Sequence, residues 1–225
     1  MAIQGRSMAS NRAILVPIEP RDMETLLAGY RRFRANGWPS QREAFETLAR
    51  HGQSPKALVV ACVDSRVDPG LIFDTAPGEV LTVRNVANLV PPYEPDARYH
   101  GTSAALEFGV RALEVPHLMV MGHSLCGGVR ALLEDTPDRA YEFVSPWMSI
   151  ASPARGRALG CGVPEERQRC CEHEVVKVSL ANLLTFPWIA ERVEAGRLEL
   201  HGAWFDIRTG ILATLQPDGS FAPVG

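Results

Sequence analysis

The chain has no surplus of either charge: 23 lysines and arginines stand against 26 acidic residues, for a formal net charge of -3, and the basic residues are scattered. Nucleic acid and anionic membranes are held by clustered positive charge, so both are set aside as partners. Long apolar runs are missing too. The longest, residues 57–63 and 117–121, fall far short of the roughly 20 residues that cross a bilayer. Arg6 and Arg12 are not followed by an apolar stretch of about 7 to 15 residues with a small-residue cleavage site, so no secretory signal is supported and a reducing, cytoplasmic setting is expected. Cysteine is scarce and odd in number: Cys62, Cys126, Cys161, Cys170 and Cys171. In a chain too large to need disulfide staples, such thiols are expected to be ligands or nucleophiles rather than cross-links.

What is present is enough apolar residue, 46% of 225, to bury one ordinary core, so a single domain spanning residues 1–225 is expected. Leu26, Leu27, Tyr30 and Phe33 recur at helical spacing, and Ser40 with Glu43 forms a capping-box signature. Residues 1–50 therefore read as an arm of two helices, divided at Gly37-Trp38-Pro39 and closed by Gly52. Residues 1 to about 20 can include disorder or a cloning remnant.

Residues 55–225 read as an α/β core. Residues 57–62, 80–83 and 117–121 are apolar and β-rich. Between and after them come a short helix near 69–73, a helix at 102–113 capped by Thr102, and a helix entered through Gly127-Gly128. Strand and helix thus alternate, which implies a mostly parallel central sheet flanked by helices. Past Asp138 the pattern gives a helical region through Trp147, a Pro/Gly/Arg-rich loop at 152–162, a long helix from Pro164 to Leu184, and a strand over 197–206 with an antiparallel hairpin partner at 211–215. Ligands of such sheets bind beyond the carboxyl ends of the strands, where Cys62 and His123 fall.

Two thiolates and an imidazole with an open fourth position make a catalytic zinc site. His123 and Cys126, three apart, span a strand end and the first turn of a helix, and Cys62 ends another strand. The pair His123 and Cys126 alone fits an internal histidine beside a buried cysteine equally well. Cys62-Val63-Asp64-Ser65-Arg66 adds a carboxylate that can orient metal-bound water and a guanidinium that keeps that carboxylate ionised.

Residues 62–67, 84–92 and 122–129 resemble, in order and spacing, the signature segments of β-carbonic anhydrases, and the similarity continues through 178–183 and 200–206. The resemblance implies one zinc per chain, on Cys62, His123 and Cys126. It implies reversible hydration of carbon dioxide to bicarbonate by zinc-activated water, with Asp64 and Arg66 as catalytic residues. It also implies a homodimer or homotetramer with a pocket built from both subunits. Gln53 matches the amide donor of the plant-like branch, and Val86 and Phe108 match apolar pocket positions. Phe108 stands where plant members carry tyrosine, so that hydroxyl is missing. Backbone N–H groups near Gly127 are placed to stabilise charge developing on oxygen. The segment Pro91-Pro92-Tyr93 resembles the plant-like branch, which implies that Asp64 stays off the metal. Two thiolates cancel the charge of the ion, so activity is expected to rise toward alkaline pH.

Rival readings share parts of this pattern. Gly122-His123-Ser124-Leu125-Cys126 differs from a serine-hydrolase elbow in its last glycine, which would make Ser124 a nucleophile. A carbon disulfide or carbonyl sulfide hydrolase resembles the same scaffold. A zinc-stapled binding module has no use for Asp64 and Arg66. Cys161, Cys170, Cys171 and His173 are read as helix-core or surface positions, and His117 has no partner in the pattern.

Overall fold

The computed structural model describes residues 20–96, 98–134 and 142–225. The expectation for the first twenty residues, apart from Pro20, lies outside them, as does the start of the helical region past Asp138. The chain divides into two compact units, Met1–Arg50 and His51–Gly225.

In the first unit, α1 (Pro20–Arg32), a π-helical turn (Phe33–Gly37) and α2 (Trp38–His51) follow without the expected break. The wide turn lets the Trp38 N–H reach the Phe33 carbonyl, five residues back. Pro39, which has no N–H to give, follows directly on this wide turn. Ser40 is consequently no N-cap, and its hydroxyl donates backward to the Gly37 carbonyl at 2.8 Å. Phe33, Trp38 and Phe45 close over this corner, the last two with ring centroids 5.2 Å apart. A Cβ on Gly37 would stand 2.9 Å from the Phe33 ring, which explains glycine there.

The second unit is built on a six-stranded sheet in the order β2-β1-β3-β4-β5-β6. Strands β1 (Ala57–Cys62), β2 (Val80–Asn85), β3 (His117–His123) and β4 (Glu199–Asp206) run parallel. Strands β5 (Ile211–Leu215) and β6 (Phe221–Pro223) add an antiparallel edge. The unbroken apolar run of β1 follows from its place between β2 and β3. Leu58 and Val60 pack with Leu118 and Val120 on one face, and Val59 and Ala61 with Met121 and Ala203 on the other.

Crossovers are supplied by α3 (Pro69–Ile72), α4 (Gly101–Glu107) with its π-helical extension Phe108–Ala112, and α5 (Gly127–Glu134). Thr102 does not cap α4. It lies inside the helix, and its hydroxyl accepts from the Asn85 amide at 3.2 Å. Beyond come α6 (Val144–Ser149), α7 (Ser152–Leu159), α8 (Pro164–Leu183) and α9 (Pro187–Glu194). Helix α7 replaces the loop expected at 152–162: Pro153 sits harmlessly in its first turn, and Ala154 and Ala158, one turn apart, are fully buried. Cys161 and Cys170 form a disulfide between the end of α7 and α8, which corrects the expectation that no thiol acts as a cross-link. The sheet receives α8 closely because Gly122 has no side chain; a Cβ there would stand 2.8 Å from Val176.

Candidate metal centre

Cys62 ends β1, and the next residue keeps it in the sheet, because the Val63 N–H donates to the Asn85 carbonyl at 2.9 Å. His123 ends β3, and the Ser124 N–H continues the ladder to the Phe205 carbonyl at 2.9 Å. Leu125 then takes φ 60°, a left-handed conformation unusual without glycine, and this turns the chain so that Cys126 opens α5 through its carbonyl and the Arg130 N–H. One donor atom each from Cys62, His123 and Cys126 falls within 4.8 Å of the other two, and all three residues are buried.

The ring of His123 is aimed. Its Nδ1 lies 2.9 Å from the Ser124 carbonyl, which can only accept, so Nδ1 carries the proton. Nε2 is buried, and no nitrogen or oxygen of the described residues partners it; its neighbour is the Cys62 sulfur. A buried acceptor left in this state suits a cation. The thiols divide their proton unequally. Cys62 falls to about 4, chiefly because Cys126 hydrogen-bonds to it, against the cost of burial. Cys126 is pushed up by that same contact and by burial. Burial works against a charged His123, but the Cys62 thiolate prevails and raises it. Two sulfurs and one imidazole nitrogen, converging from separate elements, fit zinc with one position free.

Beside this centre Asp64 is clamped. Its Oδ1 accepts from the Arg66 backbone N–H (3.0 Å) and Nε (2.9 Å), and its Oδ2 accepts from Arg66 Nη2 (2.7 Å). These bonds hold the Asp64 carboxyl well below the ordinary carboxylate range.

Two positions were not singled out by sequence reasoning. Arg84, on β2, donates to the Cys62 carbonyl (Nε, 2.9 Å), to the Asp64 carbonyl and to Asp68 (Nη1, 3.0 Å), bracing the loop between ligand and aspartate. Glu172, on α8 and only 3% exposed, accepts from the Cys126 N–H (3.1 Å), Gln168 (3.0 Å) and the Trp204 indole (3.2 Å). Burial raises Glu172 despite these bonds. The available signal was periodicity, since Glu172, Val175, Val176, Ser179 and Leu183 share the buried side of α8.

The expected substrate positions divide. Val86 packs against the apolar cluster that contains Cys62 and Cys126, and Gly127 directly follows a ligand at the start of α5. Gln53 is exposed in the loop before β1, and Phe108 is 51% exposed; neither belongs to that cluster. Ser124 is no nucleophile. It is buried, its hydroxyl donates to Asp206 at 2.9 Å and accepts from the Ile207 N–H at 2.9 Å, and so it clasps β3 to the end of β4. His173, half-buried on α8, is stacked on Phe221 at 4.2 Å and pushed down to about 4, chiefly by burial.

The profile of the carbonic anhydrase family matches residues 57–212. Among curated proteins, beta carbonic anhydrase 3 of Arabidopsis thaliana is 36% identical over 207 residues, covering 89% of this chain and 80% of that protein. Chloroplastic beta carbonic anhydrase 5 of the same plant is 42% identical over 169 residues, covering 73% of this chain, which spans only 55% of that relative. Among solved structures, the beta-carbonic anhydrase CcaA superposes with a TM-score of 0.84 at 33% identity over 90% of this chain and 92% of its own. A tetrameric beta-carbonic anhydrase of Sordaria macrospora gives 0.75 at 28% identity over 86% and 96%.

Proposed function

This chain belongs to the carbonic anhydrase family, in its β class, and from that premise we propose that Cys62, His123 and Cys126 hold its zinc while Asp64 and Arg66 govern the reactive position. Its reaction is the reversible hydration of carbon dioxide to bicarbonate and a proton. The observation that carries the site assignment is the convergence of three buried donor atoms within 4.8 Å of one another beside an aspartate that an arginine keeps ionised.

Zinc, when bound, supplies Lewis acidity that makes water a nucleophile near neutral pH. The protein does the rest. Asp64, acceptor-only because Arg66 keeps it ionised, takes a hydrogen bond at the reactive position and fixes its orientation. Val86 gives carbon dioxide an apolar wall, and backbone N–H groups near Gly127 meet charge developing on its oxygens. Gln53 and Phe108 complete the pocket of a second copy in a homodimer or homotetramer. Their exposure supports this, as do the tetrameric relatives of Sordaria macrospora. Residues 1–50 act as the arm and 55–225 as the catalytic core of one domain. No helix among the described residues is long and apolar enough to cross a membrane. A cytoplasmic setting is part of the proposal, although the Cys161–Cys170 disulfide would be unusual there.

Stopped-flow carbon dioxide hydration across pH, with zinc content measured on the same samples, tests the assignment. Wild type should carry about one zinc per chain, and Asp64→Ala should keep the zinc while losing about 10- to 100-fold in rate. Undiminished turnover in Asp64→Ala would remove the aspartate from the mechanism, and zinc retained by Cys62→Ala together with His123→Ala would remove the ligand set.

A further inference from the structure

At the opposite end of the sheet three more ligand-type side chains meet. Parallel pairing sets His117 beside Glu199 and Met119 beside His201. Side chains alternate along a strand, so His117 on β3 and Glu199 and His201 on β4 emerge on one face, while Leu118 and Leu200 turn to the other, into the core. His117 Nδ1 lies 3.2 Å from His201 Nε2, and Glu199 Oε2 lies 3.7 Å from the first and 3.8 Å from the second. One donor atom from each residue is within 4.8 Å of the other two. All three side chains are partly exposed, at 45%, 69% and 37% for His117, Glu199 and His201, so an ion can enter from solvent.

A hydrogen bond between two neutral imidazoles accounts for the shortest of these distances only. It leaves a carboxylate facing both rings at separations too long for hydrogen bonds. A shared cation accounts for all three. With metal–nitrogen bonds of about 2.0–2.1 Å and tetrahedral angles, neighbouring donor atoms stand about 3.3–3.4 Å apart. The two nitrogens are already near that spacing, and the carboxylate reaches it by a shift of about 0.4 Å at an exposed side chain. Two imidazoles and one carboxylate suit zinc and its late first-row neighbours, whereas magnesium and calcium favour sites of oxygen alone.

We infer that His117, Glu199 and His201 form a second divalent-metal site of the zinc class, stapling β3 to β4. Strand β3 carries His117 at one end and His123 at the other, which puts the two centres about 20 Å apart at about 3.3 Å per residue. The inference is independent of the roles proposed for the first centre.

Titrating zinc chloride into the zinc-loaded enzyme, by calorimetry with elemental analysis after gel filtration, decides it. Wild type should take up about one further equivalent per chain. His117→Gln and His201→Gln should lose that equivalent, Glu199→Gln should weaken it by about tenfold or more, and carbon dioxide hydration should be unchanged in all three. Glu199, the most exposed of the three, keeps the test decisive if a histidine variant fails to fold. No further equivalent in wild type, an equivalent that survives undiminished in the variants, or equal uptake of magnesium would overturn the inference.

Discussion

Arg84 offers a direct test of how the loop from Cys62 to Asp68 is held. Its guanidinium serves three acceptors from a side chain that is 26% exposed: the Cys62 carbonyl, the Asp64 carbonyl and the Asp68 carboxylate. Arg84→Met keeps the stem and removes every donor, and Arg84→Lys keeps the charge but offers one nitrogen where a planar fork reached three groups. A hydrogen bond from a charged donor contributes about 1.5–3 kcal/mol, less where solvent competes. Losing two carbonyl contacts and one partly exposed ion pair should therefore cost about 2–4 kcal/mol in Arg84→Met. Because the loop connects a ligand to the aspartate, zinc affinity should fall as well, by about 10- to 100-fold. Chelator competition gives the affinity, and thermal unfolding of the loaded enzyme gives the stability. Loss of stability with unchanged zinc affinity and turnover would refute the bracing role, since Arg84 would then support only the β1–β2 edge.

Asp64 has a folded pKa below its unfolded value of about 3.9, so its stabilising contribution is present above that value and is lost as pH falls through the folded one. The stability gap between wild type and Arg66→Gln should accordingly hold constant from neutral pH to about pH 5 and close below about pH 4; urea titrations that show a constant gap to the acid limit would contradict this. The Cys161–Cys170 bridge closes a loop with a sequence separation of 9, and its removal by Cys161→Ser or by reductant should cost about 2–3 kcal/mol, read as a lower Tm with zinc content unchanged. An unaltered Tm would show that the α7–α8 packing needs no tie.

The ligands were legible because their chemistry limits the residue types and because parallel strands deliver their carboxyl ends to one edge: Cys62 and His123 ended apolar runs, and each does end a strand. The braces were not legible. Arg84 in β2 looks like any polar residue of an edge strand, and Glu172 in a charged helix looks solvated until the burial of Val175, Val176 and Ser179 places it inside. Ser40 and Thr102 were misread because a cap motif is local and cannot report whether the preceding residues are already helical. Helix α7 was hidden behind Pro153, Gly156 and Gly160, read as loop punctuation although proline is neutral in a first turn. His117 and Glu199 are joined by sheet register alone, across 82 positions of sequence (199 − 117), and no local pattern carries that contact.

Strain and its supports show what sets the metal geometry. Leu125 between His123 and Cys126, and Ala87 and Asn88 directly after Val86, all take positive φ without being glycine. Each such residue costs on the order of 1–3 kcal/mol and persists only where its surroundings over-determine it. The surroundings here come largely from one helix. From α8, the Ser179 hydroxyl donates to the Asn88 carbonyl (3.0 Å) and accepts from the Val90 N–H (3.2 Å), and Asn182 donates to the Val90 carbonyl (2.8 Å). Asn85 closes the same loop from within, donating to the Leu89 carbonyl (2.7 Å) and accepting from its N–H (2.8 Å). Two turns earlier on α8, Glu172 fixes the Cys126 N–H, and Val176 fills the space that Gly122 leaves open one residue before His123. A single rigid element thus positions His123, Cys126 and the loop that follows Val86. The donor triangle is therefore braced by the packed fold, through Glu172, Val176 and the loop that Ser179 and Asn182 hold.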